Sequence, residues 1–557
     1  MMASPILVSV MQKQFDHIAR QMGWVMTRTA RSPVFSESHD FSCFLCDRTG
    51  QLMTQADGLP IHTGGGGLAV KSVLGTFDGR IRDGDVFLLN DPYLSGGNHL
   101  PDWTLIRPIF VEGRLCGFAC NRAHQSDIGG GAAGTYNAGA TEIFHEGIRL
   151  PVLKLFERGA RRDDIWSLLL ANTRCPELLD GDLRAMIGST AIGAKLLGDA
   201  IEKLGVDVAF EVFEEILDHA ERTMRRHIRD LPNGAYHGED STDTDCFDSV
   251  RSTVRVRLTV KDEELLFDFT GTDPQTRGFK NSSLANTLSS VYVAIGATVA
   301  SDVPRNDGLY RPVTVIAPEG SVVNARAPAA MTMNTMYPAG EIVNACWKAL
   351  AQAAPERACA GWGKIAHPTT SGRNRDGSTY VMYHWHALLG AGAVKGRDGF
   401  NTVSQLTTLG GQSLPNVERY EQLYPVKIRT YEFRKDAAGA GTFRGGTGVE
   451  YLVEVNQEAT YAFRGEGLRT PSGFGIAGGE LGKVADMEIV LADGSAYPAP
   501  QYAVETLGPL TMRIRSAAGG GWGDPSQRAP ERIRRDIEDG LLSPEKARAD
   551  YGFEAVD

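Results

Sequence analysis

Three short stretches near the N-terminus concentrate side chains of the kind that hold metal ions. They are Ser36-Glu-Ser-His-Asp-Phe-Ser-Cys43, Asn90-Asp-Pro-Tyr-Leu-Ser-Gly-Gly-Asn-His99-Leu-Pro-Asp102 and Asn121-Arg-Ala-His124-Gln-Ser-Asp127-Ile-Gly-Gly130. Imidazole nitrogens and carboxylate oxygens are natural ligands for Zn²⁺ or Mn²⁺. A partly open set of two histidines and two carboxylates suits a catalytic centre better than a closed, cysteine-rich structural one. His99/Asp102 and His124/Asp127 are each three apart, and Pro101 allows a turn that aims the first pair inward. Such pairs also arise from hydrogen-bonded surface histidines, so spacing alone leaves both readings open. His62, in Leu59-Pro-Ile-His-Thr63, fits either a donor behind the ligands or a satisfied turn histidine.

Several other chemistries have no residues to carry them. No GxxxxGK[ST], GxSxG or HExxH occurs. GxGxxG occurs at Gly129–Gly134 and Gly473–Gly478, but neither follows a strand and opens a helix, as a dinucleotide site requires. The eight cysteines include Cys43-Phe-Leu-Cys46, with no second CxxC at zinc-finger spacing. Buried, reduced thiols are the reading for a chain of this kind.

The elements that must position these residues follow from periodicity. Val8, Met11, Phe15, Ile18, Met22 and Val25 form one face of a helix over 8–29. Strands are expected at 41–45, 51–54, 85–90, 106–110 and 115–121, with a loop over 91–102. Helices are expected at 164–171, 180–204, 206–228, 282–301 and 338–354. Alternation over 252–269 reads as β. Beyond 420 short strands and many glycines suggest tight β turns with positive φ, and a helical tail follows at 528–549. The fold class is mixed α/β (α+β) and multidomain, and no internal repeat is found. Its expected divisions are a metal-site α/β region over 1–230, a central α/β region over 231–420 and a β-rich region with C-terminal helices over 421–557.

The 557 residues are 42% hydrophobic and 22% charged, an ordinary globular composition. A net charge of −11 argues against a non-specific nucleic-acid binder. No apolar run reaches membrane-spanning length, and Met1–Val10 lacks signal-peptide character, so the cytoplasm is the expected location.

Asp40-Phe-Ser-Cys43, Asn90-Asp-Pro-Tyr93 with Gly96-Gly-Asn-His-Leu-Pro-Asp102, and Ala123-His-Gln-Ser-Asp-Ile-Gly-Gly130 resemble signatures of the hydantoinase B/oxoprolinase family. The resemblance continues through Glu146-Gly-Ile-Arg-Leu-Pro151, Asn172-Thr-Arg-Cys-Pro176, Phe269-Thr-Gly-Thr-Asp273, Asn306-Asp-Gly-Leu-Tyr-Arg-Pro312, Phe443-Arg-Gly-Gly-Thr447 and Gly519-Gly-Gly-Trp-Gly-Asp-Pro525. It spans nearly the whole chain.

The resemblance implies a division of labour. A hydantoinase A-type partner binds ATP and Mg and phosphorylates an intermediate, in a hetero-oligomer such as A2B2. The B-type chain holds one divalent transition metal ion, Zn or Mn. Carried over by motif, the ligands are Asp40, His99, Asp102 and His124, with Glu37 and His39 near enough to exchange roles with Asp40. Asp127 is a candidate base, a partner of His124 or a turn-capping carboxylate. The implied activity is ATP-dependent opening of a cyclic amide of the hydantoin, oxoproline or lactam type. A ketone carboxylase subunit and a non-catalytic scaffold are the alternatives. The sequence departs from the family at Asn121-Arg122 and Gln125, where histidine is more usual, and in the glycine-rich run after His62.

Overall fold

The computed structural model describes residues 4–299, 303–491 and 493–554. Its first sheet has seven strands, β1 Phe41–Asp47, β2 Leu52–Asp57, β3 Val86–Leu89, β4 Asp102–Val111, β5 Arg114–His124, β6 Leu153–Glu157 and β7 Ala160–Arg161, in the order β2-β1-β5-β4-β3-β6-β7. Neighbouring strands in it pair antiparallel. The β4–β5 connection is a two-residue turn at Glu112 and Gly113, both with positive φ. That geometry matches the right-handed twist of the strands it joins.

Helix α1, Pro5–Thr29, buries Val8, Met11, Phe15, Ile18, Met22 and Met26. Val25, expected on this face, is half-buried. After α1 come the short helices α2, Pro33–Ser36, and α3, Pro60–Thr63, then α4, Gly66–Thr76, α5, Asp163–Ala171, α6, Pro176–Leu204, and α7, Val206–Arg229. Helices α1 and α6 lie on one face of the sheet. On the other face Ala69, Val70 and Val73 of α4 pack with Phe44, Cys46, Phe87, Phe118 and Cys120. Strand β1 is therefore buried on both faces along its whole length, and Cys43-Phe-Leu-Cys46 is a continuous apolar stretch within it. The Asp182 carboxylate of α6 accepts from the amides of Arg31 and Ser32 at 2.8 and 3.0 Å. This pins the α1–α2 turn, from which the chain runs directly to Asp40.

A second sheet contains β8 Gly234–Ser241, β9 Thr253–Lys261, β10 Glu264–Asp268 and β11 Val313–Ile316, in the order β11-β10-β9-β8. Val254, Val256, Leu258 and Val260 form its buried face, as alternation predicts. Helix α8, Leu284–Thr298, precedes the short α9, Asp307–Tyr310, and α10, Ala339–Ala353, packs on β8, β9 and α8. Residues 300–301 of the helix expected at 282–301 lie outside the described residues.

The third sheet joins β12 Thr369–Arg373 and β13 Thr379–Tyr383 to strands much later in the chain. The remaining strands are β14 Val426–Phe433, β15 Val449–Val455, β16 Ala459–Phe463, β17 Asp486–Val490, β18 Ala496–Pro498, β19 Ala503–Leu507 and β20 Leu510–Arg515. The third sheet runs β13-β12-β16-β19 and so draws strands from both sides of residue 420, while the fourth runs β14-β15-β20-β17-β18. The helical tail forms two helices, Pro530–Glu538 and Pro544–Tyr551. No helix among the described residues is long and apolar enough to cross a membrane.

Beyond 420 the expected positive φ is found at Gly467, Gly478, Gly494, Gly523, Gly540 and Gly552, but another group of glycines serves a different purpose. Gly439, Gly441, Gly445 and Gly446 do not have positive φ. They lie in irregular segments packed backbone against backbone, with Gly439 N–H donating to the Gly519 carbonyl, Gly446 to that of Ala391 and Gly519 to that of Gly446. A Cβ on Gly445 would overlap the Gly519 carbonyl, and one on Gly519 would overlap that of Ala391. Close approach, not turn conformation, requires glycine here. Gly445→Ala and Gly519→Ala are each expected to cost about 3 kcal/mol or more. Gly75→Ala, where an added Cβ meets nothing within 4 Å, should be neutral or stabilising. Thermal unfolding midpoints of the three variants check this contrast.

Candidate metal centre

The β4–β5 hairpin brings two of the expected ligands together. Asp102 is the first residue of β4 and His124 the last of β5, and the register pairs them directly. Directly opposed residues put their side chains on the same face of the sheet. Strand β1 lies on the other side of β5, and the His124 amide donates to the Asp40 carbonyl at 3.1 Å. His99 comes from the loop before β4, and His62 from α3. The strand ends thus gather side chains from four separate segments.

His99 Nε2 lies 2.8 Å from Asp102 Oδ1, and His124 Nδ1 lies 3.1 Å from the same oxygen. His62 Nε2 is 3.4 Å from Asp102 Oδ2 and 3.7 Å from Asp40 Oδ1. Ligand atoms of His99, Asp102 and His124 all lie within 4.8 Å of one another. Asp40 stands at the edge of this group, reached through His62. None of the five side chains belongs to a residue more than 6% exposed.

Each imidazole is aimed by a partner on its outer side. His99 Nδ1 donates to the Thr332 carbonyl at 2.5 Å, so Nε2 is the nitrogen that faces Asp102. His124 Nε2 lies 3.1 Å from the Tyr383 hydroxyl, and His62 Nδ1 3.2 Å from Ser42 Oγ. The Thr332 carbonyl is itself held in place. Buried Glu146 accepts from the amides of Met331, at 2.9 Å, and Thr332, at 2.6 Å.

Charge inside the cluster is strongly redistributed. Burial opposes ionisation of Asp102, yet His99 and His62 hold it well below the usual carboxylate range. Burial also works against protonation of His99, and Asp102 more than reverses this. Burial pushes His62 down, only partly offset by Asp102 and Asp40. The donor set fits a divalent transition ion on a further ground. Among the described residues, His99 Nε2 and Asp102 Oδ2 are buried atoms without a well-formed hydrogen bond, their nearest polar neighbours being other members of the cluster, and such atoms are costly unless something else binds them. A metal ion satisfies a nitrogen lone pair and a carboxylate together.

The other expected residues fall in different places. Glu37 faces Arg419, with 3.7 Å between Oε1 and Nε, and His39 packs on Phe41 with Nδ1 3.4 Å from Thr27 Oγ1. Asp40 is the member of that trio beside the cluster. Asp127 has no hydrogen bond to His124. Its oxygens accept instead from Arg174 N at 2.7 Å, Arg174 Nη1 at 2.9 Å and Gly134 N at 3.2 Å. An ion-paired carboxylate with both oxygens engaged is a loop clamp, so the turn-capping reading describes its geometry. Gly129–Gly134 and Gly473–Gly478 lie in loops and open no helix.

Sequence reading missed Tyr383, Tyr136, Thr332, Glu146 and the part played by Arg122. The string Tyr383-His-Trp-His386 was a visible signal for the first. His384 and His386 on that string are buried and pushed by burial to about 3 and about 4. The contacts of Thr332 with His99 and with Glu146 span more than 180 residues of chain and leave no local pattern.

Glu146 gives a pH test. Burial raises its carboxyl from 4.5 to about 7, despite the two amides. The folded chain therefore keeps a proton that the unfolded chain releases, and stability falls as pH rises from about 4.5 to about 7. Glu146→Gln should remove this component. Its unfolding midpoint, relative to wild type, is expected to rise between about pH 5 and pH 8. A constant difference across that range would contradict the assignment.

The sequence profile of the hydantoinase B/oxoprolinase family matches residues 4–525. The β subunit of caprolactamase from Pseudomonas jessenii is 34% identical over 98% of this chain and 96% of its own length. The crystal structure of the ATP-dependent caprolactamase from that organism superposes with a TM-score of 0.93 at 32% identity, over 100% of this chain and 97% of that one. The B component of a putative D-/L-hydantoinase from Pseudomonas sp. (strain NS671) is 29% identical over 99% of this chain and 95% of its own length. Nucleotide-free acetone carboxylase shares the fold, with a TM-score of 0.90 at 20% identity over 99% of this chain and 79% of that one. The chain belongs to the hydantoinase B/oxoprolinase family.

Proposed function

We propose that this chain is the metal-bearing subunit of a two-component, ATP-dependent amidohydrolase that opens a cyclic amide of the hydantoin, oxoproline or lactam type. The observation that carries this reading is the buried convergence of His99, Asp102 and His124, with orphaned donor atoms facing inward. Two relatives are named as subunits, caprolactamase β and hydantoinase B. The sequence carries no P-loop. Together these favour an ATP-binding partner of the hydantoinase A type, with ATP and Mg bound there.

Asp40, His99, Asp102 and His124 would hold one Zn or Mn ion. When bound, such an ion supplies Lewis acidity and a more acidic water. The chain's own residues do the rest. The Thr332 carbonyl keeps His99 Nε2 turned inward, and Tyr383 does the corresponding work for His124. His62 Nε2, between two carboxylates, is the position at which a proton can be held or passed on. Burial excludes bulk water, which strengthens these charges and protects a phosphorylated intermediate from loss. Phosphorylation of the amide oxygen by the partner turns that oxygen into a leaving group. Asp127 fixes the turn that follows His124.

Purified chain should contain close to one transition metal ion per molecule, by elemental analysis. His99→Ala and His124→Ala should each lose it, and full occupancy in both would refute the ligand assignment. The chain alone should hydrolyse neither ATP nor a cyclic amide. The co-expressed pair should couple ATP consumption to ring opening. Consumption coupled instead to a ketone with bicarbonate would replace hydrolysis by carboxylation.

A further inference from the structure

Arg464 follows β16 and is only 1% exposed. Its guanidinium lies over the Tyr136 ring, with Cζ 3.6 Å from the centroid, and 5.7 Å from that of Tyr383. Among the described residues Nη1 reaches the Met336 thioether, a weak acceptor, at 3.8 Å, and the guanidinium also interacts with the Tyr136 hydroxyl. Nε and Nη2 are buried without a partner among the described residues. Two other buried arginines behave differently. Arg122 donates to Thr104 Oγ1, the His62 carbonyl, Asn98 Oδ1 and the Gly96 carbonyl. Arg528 forms ion pairs with Asp398 and Asp536.

A guanidinium is a fixed positive charge in a protein. A buried charge without an anion is strongly unfavourable, and the aromatic faces offset it only in part. The neighbouring chain does not provide the anion. Glu466, two residues on, is engaged by Lys280 Nζ at 2.5 Å and by the Tyr502 hydroxyl at 2.6 Å.

The unused donors lie one aromatic layer from the metal-type cluster. Tyr136 stacks on His124 with centroids 6.1 Å apart, and Tyr383 reaches His124 Nε2. A forked donor with two open nitrogens matches an oxyanion. Resting on the function proposed above, we propose that Arg464 is the anion-binding residue for the substrate in this site, taking an oxyanion held beside the cluster. Two sources share this chemistry: the phosphoryl group of an activated amide, and the carboxylate present on a substrate or formed by ring opening.

The test uses the full-length chain as purified, with its metal content measured. Inorganic phosphate and acetate are titrated separately by calorimetry into wild type, Arg464→Met and Arg464→Lys. One anion should bind wild type. Phosphate would identify the phosphoryl source and acetate the carboxylate source. Arg464→Met should weaken that binding at least tenfold, and Arg464→Lys should weaken it too, because lysine lacks the fork. Metal content should stay at the wild-type level. Without added anion, Arg464→Met should unfold at the same or a higher temperature than wild type, and the anion should no longer raise that temperature. Failure of wild type to bind either anion overturns the proposal, as does undiminished binding in Arg464→Met. If Arg464→Met does not fold, unchanged affinity in Arg464→Lys overturns it. A metal-free wild type would instead defeat the ligand assignment, so the two failures are distinguishable.

Discussion

The register of the β4–β5 hairpin is the constraint on which the centre depends. Asp102 and His124 are separated by a full hairpin in sequence and face each other in space because the two-residue turn at Glu112 and Gly113 is followed by a β-bulge at Cys116, which shifts the pairing of the two strands by one residue. A slip of one residue would turn one of the two side chains to the opposite face of the sheet. The apolar cores on both faces resist that slip, since it would also pull residues such as Trp103 and Leu105, or Phe118 and Cys120, out of the core they fill and force them into the opposite one. The large first sheet thus acts as a clamp for a handful of polar atoms at the ends of its interior strands.

Arg122 extends the same control. It sits on β5 two residues before His124, and burial lowers its guanidinium to about 10. Its donors tie the carbonyl of His62, the side chain of Asn98 and the carbonyl of Gly96 to the strand. The loops that carry His62 and His99 are therefore anchored to the strand that carries His124. Neutral acceptors satisfy Arg122, whereas Arg464 across the site retains open donors. One buried arginine builds the walls, and the other is left to meet something that enters.

Legibility in the sequence followed the range of the interactions. Helices over 8–29, 180–204 and 206–228 were readable because their apolar residues recur at three and four. Strands β4 and β5 were readable because a short turn separates two apolar runs. His99, Asp102 and His124 were readable as ligand types, and the family resemblance tied them together with Asp40. The supporting atoms were not readable. Thr332 and Tyr383 touch His99 and His124 across more than 200 residues of chain. Gly439, Gly441, Gly445 and Gly446 read as turns, because composition does not distinguish positive φ from backbone packed on backbone.

The sequence by itself determined the class of donor atoms, the main secondary structure, the lack of the standard nucleotide motifs and the family. These are properties of local pattern and of motifs that keep their order along the chain. Tertiary structure alone decided that Asp40 rather than Glu37 or His39 stands beside the cluster. It also decided that Asp127 clamps a loop, that His62 lies between two carboxylates, and that Arg464 is buried without an anion. Each depends on which groups meet after distant segments pack, and on which are left unmatched once water is excluded.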